Sequence, residues 1–306
     1  MNTRKIFGYG TRNLFCAIAV VFVLAFAACP DGSGGNDNNN GGNDGGGGGN
    51  GGSGSYAMVR VPGGSFQMGN PDSSVGYSAE RPVHTVTLSG FYMGKCEVTQ
   101  AQYRAVTGNN PSYFKGDNLP VEQVTWYDAV EFCNKLSERE GRQPVYTISG
   151  RSPSSGYPIT FATVTANWSN TGYRLPTEAQ WEYAAKGGNG SPGNYLYAGS
   201  NTVGEVAWYS SNSNFTTHTV GTKSPNGLGI YDMSGNVWEW CWDWYSSYTS
   251  GAQTDPEGAS SGADRVRRGG YWGYSAEYVR SANRRNGSYP NSRGNDIGVR
   301  LARPAQ

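Results

Sequence analysis

Side chains able to act as acid–base catalysts are scarce in this chain of 306 residues. Histidine occurs only at His84 and His218, so a triad with a histidine base, or a metal site with several histidines, has almost nothing to draw on. The 24 Lys and Arg against 23 Asp and Glu leave a net charge of +1, which provides no field to steer a polyanion. These counts argue against most familiar catalytic sites and against a nucleic-acid partner.

Binding chemistry is concentrated instead in one C-terminal segment, residues 265–303. It holds nine arginines interleaved with Tyr and Trp. Such a mixture is typical of nucleic-acid surfaces, but the neutral total charge and the export signal described below argue against that partner. We interpret the arginines in spaced, framework-like positions as structural ion pairs that hold loops, namely Arg268, Arg280, Arg284, Arg293 and Arg300.

Between these arginines the residues are mostly Tyr, Ser, Gly and Asn. Tyrosine gives a large rigid contact area at low entropic cost, and the small polar residues give adaptable hydrogen bonds, which is the composition of antibody paratopes. The alternatives are a Gly-rich loop that packs on the core without binding, and a carbohydrate-binding module, because exposed rings also stack on sugars. The segment predicts a protein-binding surface whose contacts are Tyr271, Gly273, Tyr274, Ser275, Tyr278, Val279, Asn283, Arg285, Gly287, Ser288, Tyr289, Asn291, Ser292, Gly294 and Asp296.

The elements that must position this segment are short. Three helices are predicted from caps at Thr99, Thr125 and Thr177, and a Gln three residues later completes a capping box at the first and third. Short strands are expected between Gly, Pro, Asn and Ser turns, at residues 58–61, 65–68, 83–88, 92–98, 237–242, 265–268, 278–282 and 299–301. The fold class is therefore α+β with long irregular segments.

The N-terminus reads as an export signal followed by a linker. Positive residues precede an apolar run at 14–26 and a pair of alanines before Cys29, which resembles a bacterial lipobox. The next stretch has 13 glycines within residues 31–55 and no apolar residue, so it cannot bury a core. We predict a signal peptide at 1–28, lipidation at Cys29, a disordered tether at 29–55 and one folded domain at 56–306. The alternative is ordinary cleavage that leaves Cys29 as a thiol.

Three cysteines fall within the folded domain, at Cys96, Cys133 and Cys241. Three thiols allow at most one disulfide among themselves. The other interpretation is that all three are small apolar core residues.

Several motifs resemble the formylglycine-generating-enzyme (sulfatase-modifying factor) family. They occur in the right order over nearly all of residues 56–304. The resemblance implies a variant of the C-type lectin fold. The motifs that carry it are VPGGSFQMGN (61–70), ERPVHTVTLSGFYMGKCEVTQAQY (80–103), PVEQVTWYDAVEFCNKLS (120–137), GYRLPTEAQWEYAAKGG (172–188), NGLGIYDMSGNVWEW (226–240) and the closing RRGG and IGVRLAR.

Enzymes of this family oxidise a substrate cysteine with copper held by two cysteines near the end of the domain. Here residues 269–300 contain no cysteine, and the positions aligned with the copper pair are Tyr274 and Val279. Thiolates are the soft ligands that Cu(I) requires. The resemblance therefore implies the scaffold without a catalytic cofactor, and the alternative is an oxidase of the formylglycine-generating type or another protein-modifying enzyme.

The same resemblance implies a structural Ca²⁺ site in the sequence DMSGNVWE. Its ligands would be the carboxylates of Asp232 and Glu239 and the backbone carbonyls of Gly235 and Val237. Oxygen ligands from a tight turn suit a hard cation. The alternative is that Asp232 caps the turn and Glu239 pairs with an arginine.

The segment 265–303 is also similar to the variable region of proteins diversified by retroelements, in particular treponemal variable lipoproteins. In those systems adenines in a template are randomised, so Asn codons become Tyr, Ser, Gly, Asp, Val or Arg while framework codons stay constant. Trp272 and Arg280 would be such constant supports. The resemblance implies a lipoprotein that is anchored to the membrane through its N-terminal lipid, displayed at the outer-membrane surface, and bound to a protein ligand.

Overall fold

The computed structural model describes Met1 and residues 56–188, 195–284 and 287–305. The rest of the predicted signal peptide, the tether with Cys29, and Arg285 lie outside these residues. Among the helices within them, none has the length and apolar character needed to cross a bilayer. The described part contains short helices and small sheets joined by long irregular segments, which confirms the α+β prediction.

Three of the helices begin at capped threonines, as the sequence predicts. Thr99, Thr125 and Thr177 each accept a hydrogen bond from the backbone N–H three residues later, and the side chain of that later residue accepts from the threonine N–H. These reciprocal bonds satisfy backbone donors that a helix start leaves free. The helices are α1 (Gln100–Thr107), α2 (Trp126–Arg139), α3 (Glu178–Ala185) and the short α4 (Val203–Val206).

The strands form small sheets with two or three members. The strands are β1 (Met58–Val61), β2 (Gly64–Met68), β3 (His84–Leu88), β4 (Phe91–Gly94), β5 (Tyr146–Ser152), β6 (Phe161–Ala166), β7 (Ala207–Trp208), β8 (Ser234–Gly235), β9 (Trp238–Trp244), β10 (Gln253–Thr254), β11 (Arg265–Arg268), β12 (Ile297–Gly298) and β13 (Ala302–Pro304). In the three-stranded sheets β4 lies between β1 and β13, β3 lies between β2 and β10, and β9 lies between β11 and β12; β5 pairs with β6, and β7 with β8.

Two strand predictions are wrong, and the strand predicted at 92–98 is too long, because β4 ends at Gly94. Residues 278–282 do not form a strand, because a 3-10 helix, Ala276–Tyr278, begins the turn and the residues that follow are held by side-chain ion pairs. Residues 299–301 connect β12 to β13 and belong to neither. The sequence also missed the hairpin β5–β6.

Strand β9 is the centre of the packing. Trp238, Glu239 and Trp240 are all at most 1% exposed, so both faces of the strand are buried. The indole N–H of Trp240 donates to the backbone carbonyl of Val124 at 3.0 Å, which joins β9 to the residue just before the cap of α2. The strand therefore connects the two large hydrophobic clusters of the domain.

The cysteines of the domain do not pair with one another. Cys133 and Cys241 are free and fully buried, and Cys96 is bonded in a disulfide. Burial raises the pKa of the Cys133 thiol and of the Cys241 thiol well above the ordinary range. Neither thiol is therefore ionised near neutral pH, which fits the interpretation of these two as apolar core residues.

Candidate binding surface

Four of the five framework arginines form buried ion pairs, as predicted. Arg268 donates to Glu178 at 2.9 Å and to Glu182 at 2.6 Å, and all three side chains are at most 6% exposed. The others are Arg280 with Glu80, Arg284 with Glu178, and Arg300 with Glu239, at 2.6 to 2.7 Å. Arg293 is the exception, since it is exposed and forms no ion pair within the described residues.

These pairs clamp the C-terminal segment to helix α3 and to the N-terminal loops. Although burial favours the neutral acid, Lys186 and Arg268 lower the pKa of Glu182 to about 2. Removing one partner of a buried ion pair costs about 3–5 kcal/mol, because a charge is left uncompensated. The backbone beneath the predicted contacts is therefore held rigidly at several points.

Aromatic rings form a continuous row across this part of the domain. Within the segment, the ring centroid of Tyr271 lies 5.2 Å from that of Trp272 and 4.5 Å from that of Tyr274, and Tyr274 lies 4.7 Å from Tyr278. Tyr274 also packs edge-on against buried Trp238 at 5.9 Å. The contact between Tyr274 and Trp238 therefore joins the row to the hydrophobic core.

Both ends of the row extend into loops outside the segment. Tyr77 stacks on Tyr278 at 5.6 Å, and Phe114 packs edge-on against Trp272 at 5.6 Å. Tyr113 continues from Phe114 at 5.0 Å. We call these seven residues the aromatic row: Tyr77, Tyr113, Phe114, Tyr271, Trp272, Tyr274 and Tyr278.

Phe215 flanks the row with a centroid 6.4 Å from Trp272. Its side chain is 68% exposed, and its backbone has a φ of 58°, a left-handed conformation that costs a residue with a β-carbon about 1–2 kcal/mol. Tyr113 is 64% exposed. Exposed large rings and a strained backbone at the same edge are features of contact surfaces rather than of cores.

Backbone hydrogen bonds fix the central loop of the row. The N–H of Trp272 donates to the carbonyl of Asn236, and its own carbonyl accepts from the Ser213 hydroxyl, at 2.9 and 2.8 Å. The indole N–H of Trp272 donates to the carbonyl of Asn295 at 3.0 Å. Trp272 is therefore the ring of the row that is anchored by hydrogen bonds to three other loops.

Most of the predicted contact residues reach the surface. Ser275, Tyr289 and Asn291 are exposed. Arg285 lies outside the described residues. The half-buried ones are Tyr271, Gly273, Tyr274, Tyr278, Gly287, Ser288, Ser292, Gly294 and Asp296.

Two of the predicted contacts are corrected by the structure. Val279 is 0% exposed and packs with Tyr197 and Val206 in a small cluster, so it is a core residue. Asn283 is also 0% exposed, so it does not contribute to the surface. Gly287 has no room for a side chain, because a β-carbon there would lie 2.5 Å from the carbonyl oxygen of Arg265.

The sequence missed the four aromatic residues contributed by other loops. They lie at least 50 residues before the segment 265–303, in loops whose neighbouring residues show no pattern that marks a contact surface, and they are Tyr77, Tyr113, Phe114 and Phe215. The adjacent pair of rings at 113–114 in a loop rich in Asn, Pro and Gly is the one local signal that could have indicated them.

Both carboxylates predicted to hold Ca²⁺ accept hydrogen bonds from protein donors. Both carboxylate oxygens of Glu239 accept from the Arg300 guanidinium at 2.7 to 2.9 Å, and one also accepts from the Trp181 indole N–H at 2.6 Å. Asp232 accepts from the backbone N–H of Gly221 at 2.6 Å. Among the described residues no group of three or more His, Cys, Asp and Glu could hold a metal ion. Glu239 would have to leave Arg300 to ligate a cation, so the arrangement fits the ion-pair alternative, and Ca²⁺ binding at Gly235 and Val237 stays a prediction.

A third acid, Glu97, lies beside Asp232 and Glu239. Glu97 is 1% exposed and accepts from the Asn236 amide at 2.7 Å and from the backbone N–H of Val237 at 3.2 Å. Burial and then the charges of Asp232 and Glu239 raise the pKa of Glu97 well above its ordinary value. The protonated form of Glu97 is therefore favoured more than that of an exposed glutamate, which reduces the negative charge around Arg300.

The histidines have no nucleophilic partner in the described part of the chain. His84 is 3% exposed, and its Nδ1 lies 3.2 Å from the carbonyl oxygen of Pro82. His218 has its Nε2 2.7 Å from the carbonyl oxygen of Ser213 and stacks on Trp208. Both rings are occupied by structural contacts.

The fold and this surface define a class: an α+β domain of the C-type lectin type, with clamped loops that present a row of aromatic rings. The chain belongs to the family described as the sulfatase-modifying factor enzyme 1-like domain, whose model matches residues 53–305. This membership confirms the predicted formylglycine-generating-enzyme variant of the lectin fold.

Three relatives illustrate the range of this family. The solved structure of Treponema denticola variable protein 1 is similar with a TM-score of 0.71 and 37% identity, covering 81% of this chain and 95% of that one. A protein named chaperone protein LppX, of Paenibacillus barcinonensis, is 42% identical over 80% of this chain and 89% of its own length. The formylglycine-generating enzyme of Streptomyces coelicolor is 32% identical over 81% of this chain and 89% of its own length.

Proposed function

We propose that this protein is a surface-displayed lipoprotein that binds a protein ligand through the aromatic row, without catalysis. The observation that carries the proposal is the row itself, in which four rings of the C-terminal segment meet rings from two separate loops, Tyr77 on Tyr278 and Phe114 on Trp272. Tyrosine and tryptophan are enriched at binding hot spots because they combine a large apolar area with a polar group.

Rigidity of the base supports binding rather than mere packing. The ion pairs of Arg268, Arg280, Arg284 and Arg300 are buried, so residues between them can change without loss of the scaffold. A pre-organised surface also loses little conformational entropy when it binds. The similarity to a treponemal variable protein agrees with this division into framework and contact positions.

Absence of a copper pair supports a non-catalytic role. Residues 269–300 contain no cysteine, and Cys133 and Cys241 are buried with raised pKa values. Because relatives that are named formylglycine-generating enzymes share the fold, the test includes this activity. The purified chain, incubated with Cu(I), oxygen and a sulfatase cysteine peptide, is expected to form no formylglycine. Turnover would overturn the non-catalytic part of the proposal.

Sequencing tests the diversified-surface part. The DNA encoding residues 265–303 is sequenced across cells and isolates, together with a search for a nearby near-copy that differs at adenines. We expect substitutions at surface positions such as Tyr274, Ser275, Ser288 and Tyr289. Invariant positions are expected to include the buried arginines, Val279 and Gly287, because a change at any of them breaks an ion pair, a core contact or a tight backbone approach. Variation that is spread evenly over both groups, or no variation and no template, would contradict this proposal.

Labelling and proteolysis test the anchoring part. A Cys29→Ser variant is expected to lose incorporation of a palmitate analogue, and protease added to intact cells is expected to remove the wild-type domain. Incorporation that is unchanged in Cys29→Ser would refute lipidation at this residue, and full protection from protease would refute surface display.

A further inference from the structure

A cavity of about 230 Å³ lies away from the aromatic row. It opens between the end of β3, the end of β13, the segment that follows β10 and the start of helix α3. No residue of the aromatic row lines it. Its size is below the roughly 300–1,000 Å³ typical of pockets for drug-sized ligands, so it suits a smaller molecule.

One part of the wall is rich in hydrogen-bond donors. Arg174 is 5% exposed, and its Nη1 donates to the side-chain oxygen of Gln180 at 2.7 Å and to the carbonyl of Leu175 at 3.1 Å. No carboxylate touches Arg174 within the described residues, and burial lowers the pKa of its guanidinium. The side-chain oxygen of Gln180 accepts the bonds from Arg174 and from the Thr177 backbone N–H, and its amide NH₂ makes no hydrogen bond to any residue that the structure describes. Thr177 lines the cavity as the cap of α3, whose N-terminus carries partial positive charge.

Another part of the wall is acidic. Asp255 is exposed, accepts hydrogen bonds from the Ser89 backbone N–H and hydroxyl at 2.8 Å each, and has a left-handed φ of 42°. Glu257 is exposed and forms no ion pair within the described residues, and its charge acts on Arg174. A left-handed aspartate at a cavity is a strained backbone that its surroundings must hold in place.

The remaining wall is apolar. The Trp168 ring lies 5.0 Å from the guanidinium carbon of Arg174, and Leu88, Pro256 and Pro304 complete this side. Arg174 has no carboxylate partner, so its uncompensated positive charge would repel a ligand that is a simple cation. Two carboxylates disfavour a simple anion by charge repulsion.

We propose that this cavity binds a free α-amino acid. Arg174 and Gln180 hold the ligand carboxylate, Glu257 and Asp255 hold its ammonium group, and Trp168 packs against its side chain. This site is independent of the proposed protein-binding surface, so either can fail without the other.

Ligand-detected NMR on the full chain tests the proposal with each proteinogenic L-amino acid at millimolar concentration, and with acetate and methylammonium as probes of each charge alone. At least one amino acid is expected to bind where acetate and methylammonium do not. The absence of binding by every amino acid, or binding of acetate as tight as that of the amino acid, would overturn the proposal.

Variants locate the site. Glu257→Gln removes an exposed charge without disturbing the core, and it is expected to weaken binding roughly 10- to 100-fold, the value of one charge-assisted hydrogen bond. Glu138→Gln is the matched control, because Glu138 is also exposed but lies on α2. Unchanged affinity in Glu257→Gln, or an equal loss in Glu138→Gln, would place the amino acid elsewhere and refute the assignment.

Discussion

Replacing Arg300 with methionine should strongly destabilise the domain. The guanidinium donates twice to Glu239 through Nη2 and Nε, and it also donates to the backbone carbonyls of Gly94 and Tyr231 at 2.8 Å each. Breaking a buried ion pair costs about 3–5 kcal/mol, and each orphaned buried acceptor adds about 1–3 kcal/mol. Because such costs are not additive, we expect the free energy of unfolding to fall by about 4–6 kcal/mol. At roughly 2–4 °C per kcal/mol for a domain of this size, the Tm should fall by roughly 10–20 °C.

Urea denaturation followed by tryptophan fluorescence measures this change. Arg293→Met is the matched control, since Arg293 belongs to the same segment but is exposed, and its free energy of unfolding should change by less than about 0.5 kcal/mol. The double variant Arg300→Met with Glu239→Gln should recover part of the loss, because it no longer buries an uncompensated carboxylate. A loss below about 1 kcal/mol in Arg300→Met, or a double variant less stable than the single one, would refute the role given to this pair.

Three further predictions follow from the same contacts. Because Glu239 is engaged by Arg300, EDTA should leave the Tm of the wild-type protein unchanged; a fall that Ca²⁺ reverses would instead establish the calcium site. In Phe215→Gly the free energy of unfolding should stay the same or rise by up to about 1 kcal/mol, because glycine adopts the left-handed backbone without strain and the exposed ring buries little area. Thermal denaturation measures this change, and a clear loss of stability would show that the Phe215 ring packs against the domain. Burial and the charge of Glu178 raise the pKa of Asp243 from 3.8 to about 7, so the folded state binds this proton more tightly and loses stability as the pH rises through about 7. The Tm of Asp243→Asn measured from about pH 5 to 8 should therefore fall less with pH than that of the wild type, and parallel curves would contradict the shift.

The sequence determined the local structure and much of the framework. The helix caps at Thr99, Thr125 and Thr177 were readable because each uses hydrogen bonds within four residues. The sequence predicts that the arginines of the C-terminal segment are structural, because a chain of net charge +1 whose N-terminus resembles an export signal has little use for a basic surface there. Their ion pairs confirm that interpretation for all but Arg293.

The partners of those arginines were beyond the reach of sequence reasoning. Arg280 pairs with Glu80, which is 200 residues away, and nothing in the local pattern distinguishes Glu80 from other acids. Strand prediction failed at residues 278–282 for the same reason, because their burial comes from long-range ion pairs and packing and not from a strand periodicity.

The candidate binding surface shows the same division between composition and position. The Tyr-rich composition of residues 265–303 indicated a contact surface, but only the tertiary structure placed Val279 and Asn283 in the interior and added the rings of Tyr113 and Phe215. Residue type sets what a side chain can contact, and it is visible in the sequence. Exposure depends on which distant loops pack around that side chain, so it is decided only when the chain has folded.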